Sequence, residues 1–223
     1  MPKGQVTPSH LGPPPPRYGD WLGYLFDRPV TERAWYLERY VPFQAPPEEL
    51  ADLVIHTFKA ARQDLARFSD DQIAQGLNHI VNGSCGNIVH ALTTKPLPKE
   101  RRADVVMAIA DLYRGCFDPR CAPVLGYNDQ TGGNGLNATC YMFWDVSPFA
   151  AASPGPLLDV LQSALTLSNP ACQESALHGL GHHVQTGAQS ERAAAIIEAY
   201  LRKGAHSPEL AHYARLAQSG TII

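Results

Sequence analysis

Charge is scarce in this 223-residue chain. Asp, Glu, Lys and Arg together make up 17% of it, and the formal net charge is −3. A protein that grips nucleic acid by its phosphates needs an excess of Lys and Arg on one face, so a broad nucleic-acid surface is excluded. Long apolar runs are also missing, and none approaches the roughly 18 residues of a membrane span. The opening stretch Met1–Tyr18 (MPKGQVTPSHLGPPPPRY) is polar and Pro-rich, unlike a secretory leader. There is no run of alternating β-branched residues to make a strand. C-x-x-C is absent, and the cysteine count is odd: Cys85, Cys116, Cys121, Cys140 and Cys172. This usage reads as reduced thiols of a cytoplasmic protein, not a disulfide framework. Neither a phosphate-binding G-x-x-x-x-G-K nor an alternating-acid calcium loop occurs, even in the Gly-rich stretch 126–135.

What is present is helical periodicity, centred on Asn169–Gly187 (NPACQESALHGLGHHVQTG). Asn169 supplies a cap and Pro170 suits the first turn, where its missing N–H costs nothing. Ala176, Leu177, Leu180 and Val184 follow the three-and-four spacing of a core stripe. Glu174, His178 and His182 are spaced four apart and share another face, which the periodicity turns away from the leucines, toward solvent or a groove. Two histidines at i and i+4 with a carboxylate one turn earlier suit zinc. The Glu that would follow the first His in a zinc hydrolase of the HExxH type is replaced by Gly179. Gly179 and Gly181 inside a helix cost about 1 kcal/mol each relative to Ala, which is tolerated where another backbone comes close. The segment Gln72–Gly83 (QIAQGLNHIVNG) echoes Ser175–Gly187, with Gly76, Leu77, His79 and Val81 on Gly179, Leu180, His182 and Val184. Gln75 stands where His178 stands, which favours shared packing over a shared metal pair.

The rest of the chain divides into a disordered Pro-rich tail (1–18), an N-terminal helical part (19–149) and a C-terminal helical part (150–223), with 19–223 read as one continuous domain. Trp21, Tyr24, Phe26, Trp35, Tyr36, Tyr40 and Phe43 form an aromatic cap over the open end of a helix stack. Pro46-Pro47-Glu48-Glu49 starts a helix whose buried side runs from Leu50 to Phe68. Ser69 and Gln72 make a capping box for the next one. Ser84 is placed to cap a helix starting at Cys85, whose thiolate the helix end would stabilise, with His90 or His79 as its base. This is the thiol-enzyme alternative, with Cys85 and His90 as catalytic candidates. Lys99, Arg101 and Arg102 lie at the unfavourable end of a helix built on Val105, Val106, Ile109, Leu112 and Tyr113. Residues 118–137 form the longest break, and 150–156 a small-residue linker. Helices follow at Leu157–Leu165, from Ser190, and from Ser207 with Leu210, Tyr213, Ala214 and Ala217 as its core stripe, and Gly204 and Gly220 are stops.

Helix pairs with an internal echo predict an all-α stack of antiparallel helices. Residues 157–219 resemble HEAT-type helical repeats, through the A-L-x-G-L-G pattern around Leu177–Gly181 and the Ile196–Tyr200 helix. The combination LFDRP (Leu25–Pro29), FWD (Phe143–Asp145), SALHGLGH (Ser175–His182) and YARLAQSG (Tyr213–Gly220) resembles a family of uncharacterised bacterial proteins. The resemblance implies a short HEAT-like solenoid that binds another protein, in the manner of a bacterial immunity or accessory protein. Its expected contact surface is Trp144, Asp145, Glu174, His178 and His182, with no cofactor, no nucleic acid and no membrane. The alternative is an enzyme: a zinc-dependent hydrolase using Glu174, His178 and His182, or a thiol enzyme using Cys85.

Overall fold

The computed structural model describes residues 11–126, 132–187, 189–204 and 206–222, the side chain of Ala150 excepted. Among these residues there are helices and no strand. The order is α1 (Tyr18–Phe26), α2 (Pro47–Lys59), α3 (Ala61–Asp64), α4 (Asp70–Val81), α5 (Ile88–Thr93), α6 (Lys99–Leu112) and α7 (Asp118–Arg120). Then come α8 (Gly135–Tyr141), α9 (Phe143–Val146), α10 (Phe149–Ala152), α11 (Pro154–Ala164), α12 (Pro170–Thr186), α13 (Ser190–Lys203) and α14 (Pro208–Ser219). No helix among the described residues is long and apolar enough to cross a membrane.

The ends of the helices follow local chemistry. Ser69 Oγ accepts from Gln72 N–H while Gln72 Oε1 accepts from Ser69 N–H, a complete capping box on α4. Asn169 Oδ1 accepts from Ala171 N–H above Pro170. At the other end of α12, Gly187 adopts φ 77°, a left-handed conformation that costs glycine nothing. Two boundaries differ from the sequence reading. The run toward Phe68 breaks at Ala60, so α2 and α3 are separate. The expected linker 150–156 is mostly helical, in α10 and α11. One apolar core runs without interruption from Tyr18 to Ile222.

At the centre of the C-terminal half, α12 packs against α8, α9, α11, α13 and α14. It is buried nearly all round: Ala171, Cys172, Glu174 through Gly181, and His183 are all inaccessible. The face carrying Glu174 and His178 therefore does not point to solvent. Periodicity identified which residues share that face, but α14 and the α8–α9 turn cover it. In the N-terminal half α2 packs on α6 and α1 on α4, while α4 meets α8 and α6 meets α11, joining the halves.

The two segments of the internal echo are both helical. The glycines do not all work as expected, however. A Cβ on Gly76 would lie 2.4 Å from the Phe26 ring and 2.9 Å from the Leu25 carbonyl oxygen, a true backbone approach. At Gly179 the space is filled by the side chains of Trp144 and Leu161, and at Gly181 by Ile222. These two glycines admit side chains into the helix surface rather than another backbone.

Candidate metal centre

Three elements bring the site together. α12 carries His178 and His182 one turn apart, so their rings rise on the same side. The short α9, held by Phe143 and Trp144 in the core, projects Asp145 over them. α14 lays Tyr213 against the buried His178 ring.

Asp145 Oδ2 lies 2.8 Å from His178 Nε2, and its other oxygen, Oδ1, lies 2.7 Å from His182 Nε2. The two Nε2 atoms are 3.1 Å apart. The two carboxylate oxygens can each accept one imidazole N–H, which leaves the two Nε2 atoms facing one another at 3.1 Å. A cation held among the three residues would use these atoms together. Ligand atoms of Asp145, His178 and His182 all lie within 4.8 Å of one another, the one such group among the described residues. At a metal–nitrogen distance of about 2.1 Å, an Nε2–Nε2 separation of 3.1 Å subtends about 95°, the cis angle of a five- or six-coordinate ion; opening it by about 0.3 Å gives a tetrahedron.

The surrounding contacts fit the same purpose. His178 Nδ1 is 2.6 Å from Tyr213 Oη, and Tyr213 Oη is 3.2 Å from Tyr141 Oη. Were a metal bound, Nδ1–H would donate to the phenol and Nε2 would turn its lone pair to the ion. Burial raises the Tyr213 hydroxyl far above the ordinary range, with the neighbouring Tyr141, Glu174 and Asp145 adding to the effect, so the phenol stays neutral. Burial also works to raise the Asp145 carboxyl. The hydrogen bonds and charge of His178 and His182 outweigh it and hold that carboxyl well below the usual range. Exposure is graded across the group. The His178 side chain is 1% exposed, Asp145 23% and His182 33%, so one side of the centre is sealed and the other meets solvent. A structural zinc site closes all its positions, whereas a catalytic one keeps a position for water.

Glu174, expected to be the carboxylate of the set, is elsewhere. It is buried, and its Oε2 accepts from the Gly126 N–H at 2.7 Å. It anchors the start of the Gly-rich stretch, of which 127–131 lie outside the described residues. The far end of that stretch is also tied down: Asn134 caps α8 and donates to Asp70 and to the Arg120 carbonyl. Trp144, expected as a surface anchor, is buried and stacks on Tyr113. Asp145 was expected beside the histidines and is in contact with both. Tyr213 and Tyr141 had no sequence signal beyond their place in a core stripe and an aromatic run.

Around Cys85 the chemistry differs from expectation. The helix begins at Ile88, with Asn87 at its cap position, so Cys85 sits in a turn and gains nothing from a helix end. Partial burial raises its thiol, more than the Tyr36 hydrogen bond lowers it. His79 Nδ1 contacts the Cys85 carbonyl at 2.9 Å, and His79 Nε2 contacts Tyr24 Oη at 2.8 Å. Both nitrogens are occupied inside a cage of Tyr24, Trp35, Tyr36 and Tyr40, and burial pushes the imidazole down to about 4. The expected aromatic cap is thus organised around a neutral histidine. His90 Nε2 lies 3.4 Å from the Gly83 carbonyl. No family model matches the chain, and neither does any curated protein or solved structure.

Proposed function

We propose that the chain binds one divalent transition metal through Asp145, His178 and His182, and that the centre activates a water for hydrolysis. The observation that carries this reading is the convergence of three ligand atoms, two of them from buried or half-buried imidazoles, at separations close to those around a bound ion. Imidazole with carboxylate suits zinc, iron, nickel and copper better than magnesium or calcium. The solvent-facing side of His182 and Asp145 leaves a position for water, whose pKa an ion such as zinc lowers toward 7. The test is metal analysis of the protein purified without chelators. Near-stoichiometric metal that is lost in Asp145→Asn and in His182→Ala supports the reading. A protein that takes up no metal under excess zinc, iron or nickel refutes it.

A separate observation favours a second reading, the partner-binding scaffold. A groove of about 500 Å³ runs between Val30–Thr31, α4 and the α8–α9 turn. Val30 and Met142 are large apolar side chains left exposed along it. We propose this groove, in place of the Glu174–His178 face, as the surface such a scaffold would use. Affinity capture with the wild type beside Met142→Lys tests it, and equal recovery of partners by the two would count against the groove.

A further inference from the structure

An Asn-Gly pair carries its own chemistry. The amide carbon of the Asn side chain is one five-membered ring closure from the next backbone nitrogen, and Gly puts no Cβ in the way. The chain has the pair twice, at Asn82-Gly83 and Asn134-Gly135, and the fold treats the two differently. Asn82 lies just past the end of α4, with extended backbone, in the partly exposed turn that leads to α5. Its Oδ1 accepts from Ser84 N–H at 2.8 Å, closing a ring that spans the Gly83 nitrogen and polarising the amide carbon. Neither Gly83 N–H nor Asn82 Nδ2 has a hydrogen-bond partner among the described residues. So the atom that would attack and the atom that would leave are both free. Asn134 is locked instead. Its Nδ2 donates to Asp70 Oδ2 and to the Arg120 carbonyl, both at 2.9 Å, while its Oδ1 holds the Leu136 and Asn137 N–H groups in the capping box of α8.

We propose that Asn82 is a site of spontaneous modification, converting to aspartate and isoaspartate, and that isoaspartate there loosens the aromatic cage around His79. The Gly83 nitrogen gives its proton to solvent and bonds to Asn82 Cγ. The Cγ–Nδ2 bond breaks, and the leaving nitrogen takes up a proton and departs as ammonia. One water then opens the cyclic imide at either carbonyl. The sum is asparagine plus water giving aspartate or isoaspartate plus ammonia. In isoaspartate the main chain runs through the former side chain and is longer by one CH2, and the former Asn82 carbonyl becomes a free carboxylate. That carbonyl accepts the Cys85 N–H at 3.0 Å and closes the turn. The next links are tight. The Cys85 carbonyl accepts His79 Nδ1–H at 2.9 Å, and Gly86 lies so close that a Cβ on it would be 2.7 Å from the His79 ring. A turn lengthened at Asn82 cannot hold Cys85 and Gly86 against that ring, so the Cys85 side of the cage opens.

The experiment holds the full chain at about pH 8 and 37 °C in water enriched in oxygen-18 and follows peptides by mass spectrometry, with fragmentation that tells isoaspartate from aspartate. Asn82 should take up the heavy oxygen. Asn134 should do so about tenfold more slowly or less, because its hydrogen bond to the charged Asp70 must break before ammonia leaves, and each power of ten in rate is about 1.4 kcal/mol of barrier. Gly83→Ala should slow Asn82 and leave Asn134 unchanged; its added Cβ meets only the His90 ring at 3.0 Å and Val89 beyond, and His90 is exposed and can give way. A thiol probe should label Cys85 faster in the aged wild type than in the fresh one, and no faster in aged Gly83→Ala than in fresh. Asn134 converting as fast as Asn82 would overturn the selectivity read from the fold. An Asn82 still intact when an unstructured peptide of residues 78–87 has converted would overturn the site itself. Converted Asn82 with unchanged labelling of Cys85 would overturn the coupling to the cage and leave the modification site standing.

Discussion

The phenol of Tyr213 should be worth one to two powers of ten in metal affinity. Its Oη is 2.6 Å from His178 Nδ1, and both residues are 1% exposed. Water therefore cannot take its place. Tyr213→Phe keeps the ring that fills the space between α12 and α14 and removes only the hydroxyl. The buried Nδ1–H then loses its acceptor, the tautomer that presents a lone pair at Nε2 is no longer favoured, and the ring is freer to tilt. Loss of an outer partner of a ligating histidine costs about 10–100-fold in affinity, equivalent to about 1.4–2.7 kcal/mol. A competition titration against a chromophoric zinc chelator at fixed pH measures this directly. Tyr200→Phe is the control: it removes a hydroxyl bonded to Gln173 at 2.7 Å, five residues before His178, and should leave the affinity unchanged. An affinity for Tyr213→Phe within twofold of wild type would show that the phenol does not orient His178, and the reasoning about the sealed side of the centre would fail with it.

Other outcomes follow from the same contacts. Stability should carry a signature of His79, whose folded value of about 4 lies below the ordinary 6.5. Between those values the unfolded chain binds the proton and the folded one does not, so stability is full above about pH 6.5 and declines toward pH 4. The His79 contribution lost between pH 7.5 and pH 5 is about 2 kcal/mol, and urea unfolding should show that much less pH dependence in His79→Gln than in wild type. Gly76→Ala should destabilise the fold by roughly 1–3 kcal/mol, because the added methyl meets the buried Phe26 ring and the Leu25 carbonyl; a thermal midpoint at or above wild type would refute the close approach of α1 to α4. Cys85 should react with a thiol probe near neutral pH no faster than an ordinary cysteine, since burial raises its thiol.

How much of this was readable beforehand depended on the range of the interaction that decides it. Caps and core stripes are decided within one or two turns. Ser69 with Gln72, Asn169 with Pro170, and the glycines at 204 and 220 all appear where the pattern put them. The stripes Val105–Tyr113 and Leu210–Ala217 are buried as expected. The helix Tyr18–Phe26 was missed because its aromatics suggested a covering layer and no cap marks its start: Arg17 enters it with φ 61° and no side-chain hydrogen bond. The site depended on longer-range facts. Spacing of four put Glu174, His178 and His182 on one face, correctly, but a face has a length as well as a direction. Glu174 lies at its far end and is taken by the Gly126 amide, while the carboxylate that meets the histidines is Asp145, 33 residues from His178. Nothing in the periodicity of α12 specifies what α9 or α14 lays over it. The only local trace was the acid in Phe143-Trp144-Asp145: two aromatics committed to the core force the next residue outward at the edge of that core, where an acid can meet the histidines.

The internal echo makes the same point from the other side. His79 and His182 occupy matching positions after a Gly-Leu pair, yet one is a caged neutral ring with both nitrogens satisfied by Tyr24 and Cys85 and the other is a half-exposed ligand candidate. The difference arises in what each helix is given to pack against. α4 receives an aromatic segment, which excludes water and favours the uncharged ring. α12 receives a carboxylate and a phenol, which favour an imidazole with its lone pair directed at a cation. If that account is right, supplying a carboxylate should recruit the first site toward the second. In Tyr24→Asp the hydroxyl that holds His79 Nε2 is replaced by an acid on the same helix face, and the His79 imidazole, now beside a negative charge, should titrate well above its present value of about 4, an opposite charge favouring the protonated form. NMR of the ring protons across pH 3–8 reads this directly. A His79 that still titrates near 4 in that variant would mean the cage as a whole, and not the group facing Nε2, sets its state.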